Sequence, residues 1–509
     1  MKPFPFELPP AGRLSTRPPL RAAPLLVVAL SFVLAAPASA KTHRVTNDEE
    51  LYIASRSVDP GDLVEVQGPR VYKGRLFFQR PGTKEAPITV RGVTKDGKTA
   101  VGTDRPRIVG GDNTITINGG HYLFEALDIS GGDIRCVFVY GPDVVLRDLV
   151  IHDCKLHGLL SADEDSGNLL VDRCEFFGSG NGDRNHQIYV TSDQWKHPGS
   201  VFRLQFSYIH DGKGGHNVKS RAERNEIYFN WIEGAVYHEL ELIGPDVRDP
   251  PAIREDSEIV GNVIRKTTDK TFPMRLGGDG TMDTDGRYRL VNNTFILVNG
   301  QRAPLRLFEG VESVELYNNV FFLEGGGPIK LFRTELVEWT RGKPVIVGSH
   351  NFIPEGSTEV PSELSGTVTG DPKFVDLAGF DLRPAPGSPL VDAGAASTPT
   401  NPEAPFPRPL PEVTHQPPRR GIPGGTPRPK HGPIDIGAFE AGEPSASVGS
   451  ALATPTNGAP PAAPTPKAPD TPAARSRCNC SLVGAPRERS SSAFLLLGFF
   501  LLAWRRRLG

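Results

Sequence analysis

Short apolar segments with one internal grammar recur along this chain, and their spacing constrains its fold more than any other feature. Leu123 to Ile129, Leu146 to Ile151, Leu170 to Phe176 and Phe206 to Ile209 belong to the series. It continues through Ile227 to Ile232, Ile259 to Ile264, Leu290 to Phe295 and Leu316 to Phe321. The residue two before each final apolar position is Leu127, Leu149, Cys174, Ser207, Asn230, Asn262, Asn293 and Asn319, at successive intervals of 22, 25, 33, 23, 32, 31 and 26. A minimum interval in the low twenties, lengthened where loops intervene, predicts the coils of a parallel solenoid; sandwich strands recur every ~8–12 residues. Adjacent coils lie roughly 4.8 Å apart, so Asn230, Asn262, Asn293 and Asn319 are expected to stack their amides as a ladder inside one bend.

Composition agrees with a loop-rich β protein. The 509 residues include 55 Gly and 49 Pro, with 38% apolar residues, which disfavours long helices. Lys and Arg number 57 against 59 Asp and Glu, which excludes a nucleic-acid binder working by bulk positive charge. Negative mean hydropathy excludes a polytopic membrane protein.

The ends read as targeting segments. Arg13, Arg17 and Arg21 precede the apolar run Leu25 to Ala36 and the small-x-small site Ala38-Ser39-Ala40, so residues 1–40 are expected to be an export signal. Residues 443–477 hold eight prolines without apolar periodicity and are expected to form an extended tether. In residues 478–509, Cys478-Asn479-Cys480 is followed by the apolar stretch Ala493 to Trp504 and by Arg505-Arg506-Arg507. This layout resembles the myxobacterial C-terminal sorting signal, and the resemblance implies membrane or cell-surface attachment. The folded part is therefore residues 41–442, read as one monomeric domain in which the proline-rich stretch Pro399 to Pro433 leaves the coils and returns.

The opening Pro60-Gly61-Asp62-Leu63-Val64-Glu65-Val66, with Gly68 and Val71-Tyr72, resembles the first coil of the secreted pectate-lyase-like superfamily. Asp371-Pro372-Lys373-Phe374, the stretch Pro386 to Gly394 and the stretch Asp435 to Glu440 resemble its terminal segment. The resemblance implies an all-β, right-handed parallel β-helix and leaves activity open, since that superfamily includes lyases, hydrolases, epimerases and adhesive proteins.

A second strand set alternates inward apolar with outward polar residues. Tyr189 and Thr191 point outward from one coil, Lys219 and Arg221 from the next, and then Glu239 and Glu241, Arg275, Arg306 and Lys330. Stacking predicts a mostly cationic column with one embedded carboxylate and one aromatic ring, suited to an acidic polysaccharide. In β-elimination a cation neutralises the uronate carboxylate, a base removes the C5 proton and an acid protonates the leaving oxygen. Lys219 is the candidate base, with Arg275 or Arg221 binding the carboxylate. The stretch His216 to Arg221 resembles the Lys-Ser segment of β-helical alginate lyases and chondroitinase B, which implies that same role for Lys219. Those enzymes carry an arginine on the next coil, where this chain has Tyr237-His238-Glu239-Leu240-Glu241.

Hydrolysis is the second reading, through Glu239 with Glu241 or Asp193 with Glu239 as carboxylate pairs. Non-catalytic glycan binding is the third. Tyr189, Thr191, Asp193, His216, His238, Arg306 and Lys330 are the expected substrate contacts. His152, His157, His210, His216 and His238 show no zinc-ligand spacing, so no metal is assigned to them. Calcium is a candidate cofactor through Asp279, Asp283 and Asp285 in a Gly-rich loop. Cys136, Cys154 and Cys174 permit one disulfide or buried thiols.

Overall fold

A computed structural model describes residues 40–442 apart from 246–254, 279–283, 285, 299, 301–302, 309, 335–344, 407 and 411. Apart from Ala40, the export signal, tether and sorting segment lie outside the described residues, as do Asp279, Asp283 and Asp285. Among the described residues no helix is long and apolar enough to cross a membrane.

The described residues form a right-handed parallel β-helix built from one 13-stranded and two 10-stranded parallel sheets, here sheets one, two and three in the order each coil visits them. One coil runs Tyr122–Glu125, Asp128–Ser130 and Arg135–Val139, and each strand pairs with its counterpart one coil away. Each apolar segment recognised in the sequence is two strands joined by a tight bend. From the coil of Tyr122–Glu125 onward the first bend residue is left-handed, as at Ala126 (φ 59°), Phe229 (55°), Asn292 (52°) and Asn318 (56°). That conformation costs an ordinary side chain roughly 1–2 kcal/mol and costs Gly or Asn less, so packing and hydrogen bonding must offset it at Ala126 and Phe229.

The hydrogen bonds come from the next residue in the bend. Asn230, Asn262, Asn293, Asn319 and Asn351 are all fully buried. Each side-chain oxygen from Asn262 onward accepts both the backbone N–H and the side-chain N–H of the preceding asparagine, at 2.8–3.0 Å. The ladder starts earlier, with the Cys174 N–H donating to Ser207 Oγ (3.1 Å) and the Ser207 N–H to Asn230 Oδ1 (2.9 Å). Asn351 is a rung the sequence reading stopped short of. Inside the coils one continuous core runs from Val45 through Leu146, Ile227 and Leu290 to Leu364, each such side chain contributing about 1.5–3 kcal/mol.

A solenoid must cover its ends. The helix Asp48–Ser57, unanticipated from sequence, buries Leu51 and Ala54 at the start of the core, and Asn47 caps it by accepting the Glu50 N–H at 3.0 Å. Residues 372–440 fold back along the coils. Leu382, Ala438 and Phe439 cover Trp231 and Val263 of sheet two, and Tyr317 Oη donates to Pro399 O (2.8 Å) from sheet one. Buried Arg428 ties this return by donating to Glu440 Oε2 at 2.5 Å and to the carbonyls of Asp435 and Gly437. The contacts of the Pro399 to Pro433 excursion fall on sheets one and two, away from sheet three. Cys136 and Cys154 form a disulfide, while Cys174 is a buried thiol that desolvation pushes up to about 12.

Where the chain enters sheet one lies a buried carboxyl with no cation among its described hydrogen-bond partners. Glu255 accepts from Tyr288 Oη (2.6 Å), Ser257 Oγ (2.7 Å), Thr284 Oγ1 (2.8 Å) and Asn225 Nδ2 (3.1 Å). Burial pushes it from 4.5 to about 7. Between those values the unfolded chain has released this proton and the folded chain still holds it, so stability falls as pH rises through the window. Glu223 and Glu239, also pushed to about 7, act in the same direction. Glu255→Gln is expected to flatten the decline of melting temperature from acid to neutral pH; an unchanged profile would count against this assignment.

Candidate functional site

The short strands of sheet three set a single row of side chains on its outer face. The register aligns Phe77, Thr116, Phe138, Leu160, Tyr189, Lys219, Glu241, Arg275, Arg306 and Arg333, one per coil. The structure thus brings Tyr189, Lys219, Glu241, Arg275 and Arg306 together as expected, and it corrects the last position. Lys330 is not in the row: it bridges to Thr358 and lies near Glu359, while Arg333 pairs with Arg306. The flanking Ile329 and Leu331 imitate a strand, but the inward residue of that coil is Phe332.

Glu241 is the electrostatic centre of the row. Its Oε1 accepts from Arg275 at 2.7 Å, and its Oε2 lies 3.0 Å from His216 Nε2 and 3.3 Å from Lys219 Nζ. Burial alone would raise this carboxyl, but His216 first, and then Lys219 and Arg275, hold it well below the ordinary range. Arg275 also donates to Gly278 O (2.6 Å) and lies over Phe308, whose other neighbour is Arg306. Lys219 Nζ stands 5.4 Å from the centre of the Tyr189 ring, and Arg221 Nε donates to Tyr189 Oη at 3.1 Å.

Five expected site residues turn out to hold the scaffold: Glu239, Asp193 and Thr191, and also His216 and His238, which are buried behind the row instead of facing a ligand. Glu239 is sealed inside, where it accepts from Asn217 Nδ2 (2.6 Å) and the Ala235 N–H (3.0 Å) and pairs with the buried Lys266 ammonium at 3.4 Å. The strand Leu240–Leu242 has only three residues, so alternation does not extend back to Glu239. Glu239 and Glu241 are therefore not a surface pair. Asp193 accepts backbone N–H groups of Asp165, Trp195 and Lys196 in a loop two coils away, so it does not pair with Glu239 either. Thr191 exchanges hydrogen bonds with Ser161, donating to its carbonyl at 2.6 Å.

Behind the row runs a histidine column that sequence reading did not assemble. His157, His186, His216 and His238 each sit two residues before the first inward residue of their coil, and neighbouring rings lie 5.6, 4.7 and 5.1 Å apart. Nδ1 of His157, His186 and His216 accepts the backbone N–H of the next histidine at 3.0–3.1 Å. A neutral ring that accepts at Nδ1 must carry its proton on Nε2. Burial lowers all four: His157 and His238 to about 3, His186 well below its ordinary value, and His216 in spite of Glu241. Nitrogen NMR is expected to find His186 and His216 as neutral Nε2–H tautomers at neutral pH; an imidazolium there contradicts the column.

Those tautomers bear on metal binding. Ligand atoms of His216, His238 and Glu241 lie within 4.8 Å of one another. Nε2 of His216 can ligate only if the ring loses its Nε2 proton or gives up the backbone hydrogen bond at Nδ1, and Arg275 and Lys219 already neutralise Glu241. The arrangement fits a structural carboxylate better than a cation site.

The fold and this row define the chain as a parallel β-helix with one charged groove face. Among solved structures it is similar to the pectate lyase Pel9A (11% identity, TM-score 0.43, covering 80% of this chain and 97% of that one). It is also similar to a PL6 family polysaccharide lyase from Pseudopedobacter saltans (14%, 0.42, 64% and 92%) and to an alginate lyase from Paenibacillus sp. str. FPU-7 (14%, 0.39, 65% and 99%). No protein-family model and no curated protein matches the chain. These likenesses concern the fold alone; activity has to come from the residues of the site.

Proposed function

We propose that this chain is an exported, surface-tethered protein that binds an acidic polysaccharide along sheet three and cleaves it by β-elimination. The observation that carries the reading is a contrast between two outer faces of the same helix. On sheet one most charges meet an opposite charge on the next coil, as Arg91 with Glu125, Arg147 with Asp172, Arg203 with Glu226 and Arg289 with Glu315, and where two carboxylates adjoin, Glu226 and Glu258, Arg224 bridges both. That is how a strand face neutralises itself. The sheet-three row instead runs Lys219, Glu241, Arg275, Arg306, Arg333, four cations with one carboxylate. Like charges stacked about 4.8 Å apart repel, so such a row suits an anionic ligand laid along it.

In this reading Arg275 and Arg306 take the uronate carboxylate, which acidifies the neighbouring C5 proton. Lys219, paired with Glu241 in the resting site, first gives up an ammonium proton to solvent and then accepts the C5 proton at Nζ. The C4–O bond breaks, the new double bond forms between C4 and C5, and the Tyr189 hydroxyl, held by Arg221, protonates the departing oxygen. Glu241 fixes Arg275 and Lys219 relative to each other. Hydrolysis has less support because Glu239 is sealed inside and the row offers one carboxylate.

The test is depolymerisation of polygalacturonate, alginate and glycosaminoglycans by the purified domain. Elimination produces unsaturated uronates with strong ultraviolet absorbance. New reducing ends without that absorbance would replace the lyase reading with hydrolysis, and binding without cleavage would replace it with adhesion.

A further inference from the structure

The sheet-three row changes character at its middle. Its N-terminal half reads Phe77, Thr116, Phe138, Leu160 and Tyr189, without a charge, and the cations begin at Lys219. Over the uncharged half lies a groove of about 500 Å³ lined by Phe77, Phe138, Tyr140, Asn113 and Asn118, with Glu164 and Asp165 also contributing. Resting on the reading of sheet three as a glycan-binding face, we propose that this groove is a subsite for uncharged pyranose residues. The ligand is then a heteropolysaccharide in which a neutral or N-acetylated stretch adjoins the uronates held by the arginines.

Three observations favour that occupant. Phe77 and Tyr140 are half-buried in the groove wall and supply aromatic surface of the kind that packs on sugar C–H groups, with the nearly buried Phe138 backing Tyr140 at 4.3 Å. The exposed Asn118 amide offers both a donor and an acceptor, the chemistry that hydroxyl and acetamido groups need, beside Asn113, whose Nδ2 reaches Thr116 Oγ1 at 3.4 Å. The groove has no surplus of cations: Lys196 pairs with Asp165, and Arg135, which lies 4.1 Å from the Phe138 ring and donates to Asn113 Oδ1, shares the surroundings of Tyr140 with the carboxylates of Glu164 and Asp163. A uronate gains no net attraction there, whereas an uncharged sugar loses nothing. The groove continues the same row, so one extended chain can occupy both halves.

The probes are cellopentaose, mannopentaose and chitopentaose as neutral ligands and oligogalacturonate as the acidic one, measured by calorimetry on the intact domain. Phe77 and Tyr140 are half-buried and lie outside the sealed core, so Phe77→Ala and Tyr140→Ala keep the fold, as a thermal melt will verify. At least one neutral oligosaccharide is expected to bind, about tenfold more weakly to either aromatic variant, and with unchanged affinity to Arg306→Ala. Oligogalacturonate is expected to show the reverse pattern. Failure of every neutral probe to bind, or equal binding by the aromatic variants, overturns the subsite. Undiminished oligogalacturonate binding by Arg306→Ala overturns the function proposed above, a separate outcome.

Discussion

Lys219→Ala is expected to slow formation of the unsaturated product about 10²–10⁴-fold, the range that a positioned proton-transfer group supplies. Binding of the polymer should change far less. Arg275, Arg306 and Arg333 remain in the row, and Glu241 keeps Arg275 at 2.7 Å and His216 at 3.0 Å, so the local scaffold survives. The two effects must therefore separate, with kcat falling and KM nearly constant. A variant retaining the parent rate removes Lys219 from the chemistry. Equal losses in rate and binding would mean that Lys219 only holds the ligand.

The second large effect concerns stability. Asn293 accepts the backbone and side-chain N–H groups of Asn262 at 3.0 Å, and it donates to Ile259 O (2.8 Å) and Asn319 Oδ1 (2.9 Å). Asn293→Ala leaves these buried groups without partners in mid-ladder, at about 1–3 kcal/mol for each one that stays unsatisfied. A total loss of about 3 kcal/mol is expected by denaturant unfolding, against under about 0.5 kcal/mol for the exposed Asn118→Ala. Similar losses for the two variants would show that the ladder contributes no more than surface turn residues do.

The coils were legible in the sequence because two independent signals share one period. Inward aliphatic residues and the bend asparagine must each return once per coil, and loops lengthen the interval without changing its internal grammar. Glu239 was misread because alternation was extended one residue beyond a three-residue strand, where the chain has already turned inward. Lys330 failed for a related reason: apolar neighbours on both sides imitate a strand position that belongs three residues later to Arg333. The histidine column left a faint signal, one histidine at the same offset in four successive coils, visible only once the register is fixed. The disulfide partner of Cys136 could not be chosen from spacing, because Cys154 and Cys174 recur on neighbouring coils.

The central claim is that sheet three carries the polysaccharide. A crystal structure of the Lys219→Ala variant with a short uronate oligomer tests it most directly. The account predicts the oligomer extended across successive coils with its carboxylates on Arg275, Arg306 and Arg333. An oligomer bound on sheet one, on sheet two or on the folded-back terminal segment would contradict it.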